Sequence, residues 1–153
     1  MGEESGDVPA SFRVGWGDLD ANNHMANVAF LNRAADARIA YFARRGFPGT
    51  RFGSERIGPV IVRDELVYRK ELRLGDEFTV DLRSIGISPD GVRFAIRNTF
   101  RGPSGDMVAI VTSEGVWFDL DARKPRAPPP ELDAAQRSMP RAEEYSELPS
   151  RRR

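Results

Sequence analysis

The sequence predicts an α+β domain in which one long helix lies on one face of an antiparallel sheet. Three observations lead there: a short alternating run at the start, a helical pattern over residues 28–45, and four strand patterns joined by turns rich in Gly and Pro. With 153 residues, 36 of them Leu, Ile, Val or Phe, the chain is long enough for one domain with a sizeable core.

Phe12, Val14 and Trp16 alternate with polar or small residues, so Ser11 to Trp16 reads as the first half-buried strand. Gly17, Asp18, Asp20, Asn22 and Asn23 follow, residues whose short side chains bond to nearby backbone and favour turns, and they predict an ordered loop. From Val28 to Arg45 there is no Pro or Gly. Val28, Leu31, Ala35, Ile39 and Phe42 form one apolar stripe, and Phe30, Ala34, Ala37 and Tyr41 a second. Only a narrow polar side remains, around Asn32, Arg33, Asp36, Arg44 and Arg45, which predicts a helix enclosed over most of its circumference. Asn27 is the expected N-cap, and Gly46 with Pro48 the stop.

After a connection containing Gly and Arg, strands are predicted at Val60 to Lys70, Glu77 to Ile87, Val92 to Arg101 and Met107 to Leu120. Ser88-Pro89-Asp90-Gly91 and Gly102-Pro103-Ser104-Gly105 are hairpin punctuation. Phe78, Val80 and Leu82 share one face of their strand, as do Val92, Phe94 and Ile96 of theirs, so one sheet face is core and the other wetter. Beyond Asp121 the pattern ends, and six of the eleven prolines lie from Pro125 onward. The expected organisation is a flexible N-terminus over residues 1–10, a domain over 11–121 and a Pro- and Arg-rich tail over 122–153, in which Pro130 to Ala135 has the makings of a short helix.

Composition narrows the function. Twenty-three basic and 23 acidic side chains cancel, which removes the electrostatic footprint of a general nucleic-acid binder. There is no cysteine, so disulfides, thiolate metal sites and cysteine nucleophiles are excluded, and a cytoplasmic location is expected. Residues 1–10 lack the basic and apolar regions of a signal peptide, and no apolar run approaches a membrane span, so membrane insertion is not expected.

Chemistry concentrates between Asp18 and Asn27, where two carboxylates, several carboxamides and the sole histidine, His24, precede the helix. The positive end of the helix dipole favours a developing oxyanion there. A carboxylate at Asp20 beside such donors is suited to act as nucleophile or as base for water, which points to acyl transfer to water. Turn and cap roles account for Asp18 and Asn23, whereas Asp20, Asn22 and His24 suit structural and chemical roles equally.

The run Asp18-Leu19-Asp20-Ala21-Asn22-Asn23-His24-Met25-Ala26-Asn27, followed by Phe30-Leu31 and Asp36-Ala37-Arg38, resembles the signature of hotdog-fold acyl thioesterases, a superfamily that includes 4-hydroxybenzoyl-CoA, long-chain acyl-CoA and plant acyl-carrier-protein enzymes. The sharp match covers residues 16–38, and Val67-Tyr68 with Gly75-Asp76 is similar to that family's second strand and following turn. Asp20 resembles the catalytic carboxylate, and Asn22 and His24 the Asn and His of the plant Asp-x-Asn-x-His triad. Ala26 stands where the pattern has the first of two asparagines, and Phe30 replaces a common tyrosine.

The resemblance implies a central helix wrapped by a curved antiparallel sheet and a homodimer or homotetramer with sites at subunit interfaces. It also implies an acyl-CoA or acyl-carrier-protein substrate and no metal or cofactor. Asn27 and Phe30 become candidate substrate contacts. Arg51, Arg56, Arg63, Arg69 and Arg73 are candidates for coenzyme A phosphates, with Arg63 and Arg69 foremost, or else surface charges. Asp64, Glu65 and Glu71 read as a solvated strand face, with reach into a partner's site as the alternative. A hotdog hydratase or dehydratase is the competing enzyme reading, set back by the absence of Pro between Asp20 and His24. A non-catalytic acyl-thioester-binding protein is the third.

Overall fold

The computed structural model describes residues 8–150. The element order is β1 (Ala10–Arg13), α1 (Asn27–Arg44), α2 (Gly49–Glu55), β2 (Ile57–Tyr68), β3 (Glu77–Ile87), β4 (Arg93–Arg101), β5 (Met107–Asp119), β6 (Lys124–Pro125) and α3 (Pro130–Arg137). The sheet order is β1-β3-β4-β5-β2, with antiparallel pairing throughout. It curls round α1, which is the hotdog architecture the resemblance implies.

The inner face of the sheet carries Phe78, Val80, Leu82, Phe94, Ile96, Phe100, Val111 and Trp117, all buried against α1. From α1 the core takes Ala29, Phe30, Ala34, Ala37, Tyr41 and Phe42. Alanines in mid-helix let the backbone approach the sheet closely, while Phe30 and Tyr41 fill the ends, each contributing about 1.5–3 kcal/mol by burial.

Of the two predicted stripes, Phe30, Ala34, Ala37 and Tyr41 are enclosed, but Val28 and Ile39 on the other remain 58% and 39% exposed. The difference follows from the sheet's reach. β2, whose Pro59 and Ile61 line a cavity with Ile39, pairs with β5 alone among the described residues and leaves its other edge open over all 12 residues.

Several sequence expectations are corrected here. The first strand ends at Arg13, and Trp16–Asp18 forms a turn of 3-10 helix with Trp16 in solvent. The N-cap of α1 is Ala26, not Asn27, whose Oδ1 instead accepts the Val28 N–H at 2.9 Å. The Gly- and Arg-containing connection contains α2, whose Phe52 packs on Phe42, Phe47 and Trp117.

The segment after residue 121 is no loose tail within the described residues. β6 pairs with the end of β5, and α3 buries Leu132 and Ala135, with Met139 just beyond it. Tyr41 Oη donates to the Ala135 carbonyl at 2.7 Å, and Trp117 Nε1 to Gln136 Oε1 at 2.9 Å. Residues 140–148 then run beside the second half of β3, bonding the backbone of Ser84, Ile85 and Ile87. Gly86 is required there, because a Cβ would collide with the Ser146 carbonyl. Most of the flexible N-terminus expected at 1–10, and Arg151 to Arg153, fall outside the described residues.

Candidate active site

The loop between the first strand and α1 is built by its own carboxylates. Asp18 accepts the Gly15 N–H at 2.8 Å and is gripped by Arg33 of α1 at 3.1 and 3.3 Å, so it ties the loop to the helix. Asp20 Oδ1 accepts the Asn22 N–H at 2.8 Å and the His24 N–H at 3.4 Å, closing the turn, and Asn23 takes the left-handed backbone (φ 65°) this demands. Met25 N–H to the Leu72 carbonyl, 2.8 Å, joins the loop to the segment between β2 and β3.

These bonds leave Asp20 Oδ2 without a hydrogen bond among the described residues, and Asp20 lines a cavity of about 480 Å³. Asp20, His24, Met25, Asn27, Phe30, Tyr68, Arg69, Lys70 and Glu71 line it. Its apolar floor is Phe30, buried edge-on against Tyr68 (5.6 Å between centroids) and Phe100 (5.1 Å). Burial pushes the Tyr68 phenol above its ordinary pKa, so it stays protonated. The first-turn N–H of Asn27 has no hydrogen-bond partner among the described residues, whereas the next two, of Val28 and Ala29, are bonded by Asn27 Oδ1 and the Ala26 carbonyl. Oxyanion stabilisation needs such a donor.

His24 sits between two acids. Its Nε2 lies 3.0 Å from Glu71 Oε2, and its Nδ1 3.9 Å from Asp20 Oδ1. Glu71 is in turn bonded by Arg73 at 2.7 and 3.1 Å. That bond first, and His24 after it, hold the Glu71 carboxyl below the usual range despite its exposure. The contact was not legible in the sequence, where Glu71 reads as part of a charged strand; β2 ends at Tyr68 and the chain turns Glu71 back toward the loop. The one available signal was that Glu71 closely follows the Val67-Tyr68 strand that the resemblance aligns.

The remaining candidates are distributed differently. Asn22 contributes its backbone to Asp20 while its side chain lines a second cavity with Asn23. Arg69 stands at the first cavity's rim and makes no ion pair among the described residues. Arg63 lies apart, exposed beside Glu114 at 3.8 Å on the outer sheet face. Asp64 faces inward and accepts the Ser113 hydroxyl at 2.6 Å, next to Arg38, whereas Glu65 pairs with Thr112 on the outer face. Arg51 and Arg56 are paired with Glu55 and Asp121 away from the cavity. No cluster of three or more His, Asp or Glu able to hold a metal occurs among the described residues, and none of their helices is long and apolar enough to cross a membrane.

Comparison with known proteins adds three findings. The family model of the thioesterase-like superfamily matches residues 14–136. No curated protein matches the chain in sequence. Among solved structures, a hypothetical protein of Staphylococcus aureus characterised in complex with CoA superposes with a TM-score of 0.79 at 18% identity, covering 93% of this chain and 92% of its own. A probable thioesterase of Escherichia coli gives 0.70 at 22%, with coverages of 85% and 98%. A 1,4-dihydroxy-2-naphthoyl-CoA thioesterase from Synechocystis gives 0.74 at 17%, with 84% and 94%.

Proposed function

The chain belongs to the thioesterase-like superfamily, and we propose that it hydrolyses an acyl-coenzyme A thioester to the free acid and the thiol. The observation that carries this reading is Asp20, with one oxygen locked in the turn and the other without a hydrogen bond among the described residues, on the lining of a cavity shared with Asn27 at the start of α1. The thioester carbonyl lies against the helix start, where the N–H of Asn27 and the dipole, about half a charge, take up the oxyanion. Asp20 attacks the carbonyl carbon or draws the proton from water that does. His24, oriented by Glu71, stands beside the departing sulfur and supplies its proton.

The same reading includes a homodimer built on β2. An unpaired strand about 40 Å long, flanked by exposed Val60, Val62 and Val67, is an edge that folded proteins ordinarily cover. Ile39 of α1, on one cavity with Pro59 and Ile61, extends the apolar surface beside it. A second copy pairing β2 to β2 covers both and closes the cavity whose wall includes Tyr68 at the strand's end.

The test is thiol release from short, long and aromatic acyl-CoAs, run with Asp20→Ala and with mass determination in solution. Turnover that disappears in the variant, by a dimer, is expected. A folded protein that releases no thiol from any acyl-CoA or acyl-carrier protein refutes hydrolysis, and a monodisperse monomer refutes the β2 interface.

A further inference from the structure

We infer that residues 140–148 are an edge guard: they cover the second half of β3, keep a second copy of the chain from pairing there, and leave β2 as the long edge open to assembly. A sheet that is not closed has two edges, and each is a template for another chain. The two are treated differently here. β1 covers β3 only from Glu77 to Val80, with Arg13 and Glu77 paired beside it. The strap of residues 140–148 takes over at Ser84, running parallel to β3. There the Ser84 N–H donates to the Pro140 carbonyl at 2.8 Å, and the N–H groups of Ala142, Ser146 and Leu148 donate to the Ser84, Ile85 and Ile87 carbonyls at 2.9, 3.0 and 3.1 Å. β2 has no such cover among the described residues, and Val60 and Val62 stand exposed along it.

Core building does not account for the strap. Ala142 alone is buried between residues 140 and 148, so ordering the segment removes conformational freedom in exchange for little apolar burial. What holds it besides the backbone lies at the surface. Glu144 pairs with Arg97 of β4, Arg93 of β4 donates to the Pro149 carbonyl at 2.7 Å, and the Arg141 guanidinium lies 4.1 Å over the Tyr145 ring. Arg141, Glu143 and Glu147 are exposed and give the strap a charged outer side, which deters further pairing. Gly86 makes room for it, since a Cβ there would meet the Ser146 carbonyl and the Leu148 side chain. The family match ends before the strap, at residue 136. With the strap lifted, Ser84 to Ile87 become an unpaired edge beside Ile85 and Ile87. Two copies pairing there form a closed dimer about a dyad. Where β2 also pairs, as proposed above, each dimer carries two β3 edges and association runs on into an open chain.

The experiment measures mass in solution against protein concentration for the native chain, for a chain ending at Met139, and for full-length Gly86→Val, whose side chain suits a strand but displaces the strap. Near-ultraviolet circular dichroism of the buried Trp117 reports the fold. Both variants are expected to keep that signal and to reach at least twice the native mass as concentration rises, and Gly86→Val to become cleavable by protease within residues 140–150. Adding Ile85→Lys to either puts a charge on the freed edge and is expected to return it to the native mass. Native mass in a folded variant with the strap absent or cleavable overturns the proposal. So does loss of fold in both variants, which makes the strap a stability element, and so do larger species that persist with Ile85→Lys, which mark non-specific aggregation. If one variant fails to fold or to release the strap, the other decides. A native monomer refutes only the β2 interface, and growth in the variants then stops at a dimer.

Discussion

The loop before α1 and the segment after residue 121 both pack around the same helix, yet they differ in how many side chains they commit to the core. The loop is anchored by backbone groups and by two carboxylates, Asp18 and Asp20, and keeps Asn22 and Asn23 exposed and His24 half-buried. The later segment adds to its backbone bonds with β3 and β5 four side chains that vanish into the core, Leu132, Ala135, Gln136 and Met139. A stretch fastened through its backbone can present side chains to a ligand. One fastened through its side chains has spent them, and it seals the molecule instead.

The sharpest way to break this contrast is Asp20→Asn, which preserves the Oδ1 acceptor of the turn. Under the proposed function it lowers kcat by about 10²–10⁴-fold and leaves the urea midpoint in place. A large stability loss would mean that the loop's carboxylate is structural after all. Leu132→Ala is the mirror image: about 2–5 kcal/mol of stability lost from a fully buried site, roughly 2–4 °C in Tm per kcal/mol, with activity per folded molecule unchanged.

Glu71→Gln separates orientation of His24 from catalysis by Asp20. The expected fall in kcat is about tenfold, the worth of one charge-assisted hydrogen bond. Because Arg73 holds Glu71 below the ordinary carboxylate range, it remains ionised as pH falls through that range, and Arg73→Ala should move the acidic limb of the pH–rate profile upward.

The smallest effect lies in an exposed contact outside both regions. Asp106, bonded by Lys70 and then Ser104, is lowered to about 2. Its folded pKa is depressed, so its contribution is fully present above the ordinary carboxylate value of about 3.8 and is lost as pH falls to about 2. Urea midpoints of Asp106→Asn and the native chain should differ slightly at neutral pH and converge in acid.

Much of the fold was legible because its signals are local. The uninterrupted pattern over 28–45 became α1 with its end at Arg44, and the Gly91 and Gly105 turns sit at positive φ between the strands they separate. After residue 121 the short helix expected from Pro130 was legible and became α3, but the segment's many prolines mark loop, and that the face of Leu132, Ala135, Gln136 and Met139 docks on Tyr41 and Trp117 is set by residues far away in the chain. α2 was missed because its Gly-rich stretch has little helix propensity, and burial of Phe52 in an aromatic cluster compensates. At the candidate site the loop was legible, since only one place in the chain gathers two acids, carboxamides and histidine before a helix, and the structure places Asp20 and His24 on one cavity. Glu71 could not be placed there, because it comes 47 residues after His24 and meets it through the return of β2.

The sequence by itself determined the α+β class, the long helix, the main strands and the loop where acids, carboxamides and histidine gather, because periodicity and turn preference act between residues a few positions apart. Tertiary structure decided the rest: which stripe of α1 is enclosed and which is left open beside β2, which edge of the sheet is covered, and which acid faces His24. Those outcomes depend on contacts between distant segments, whose energies no local pattern contains.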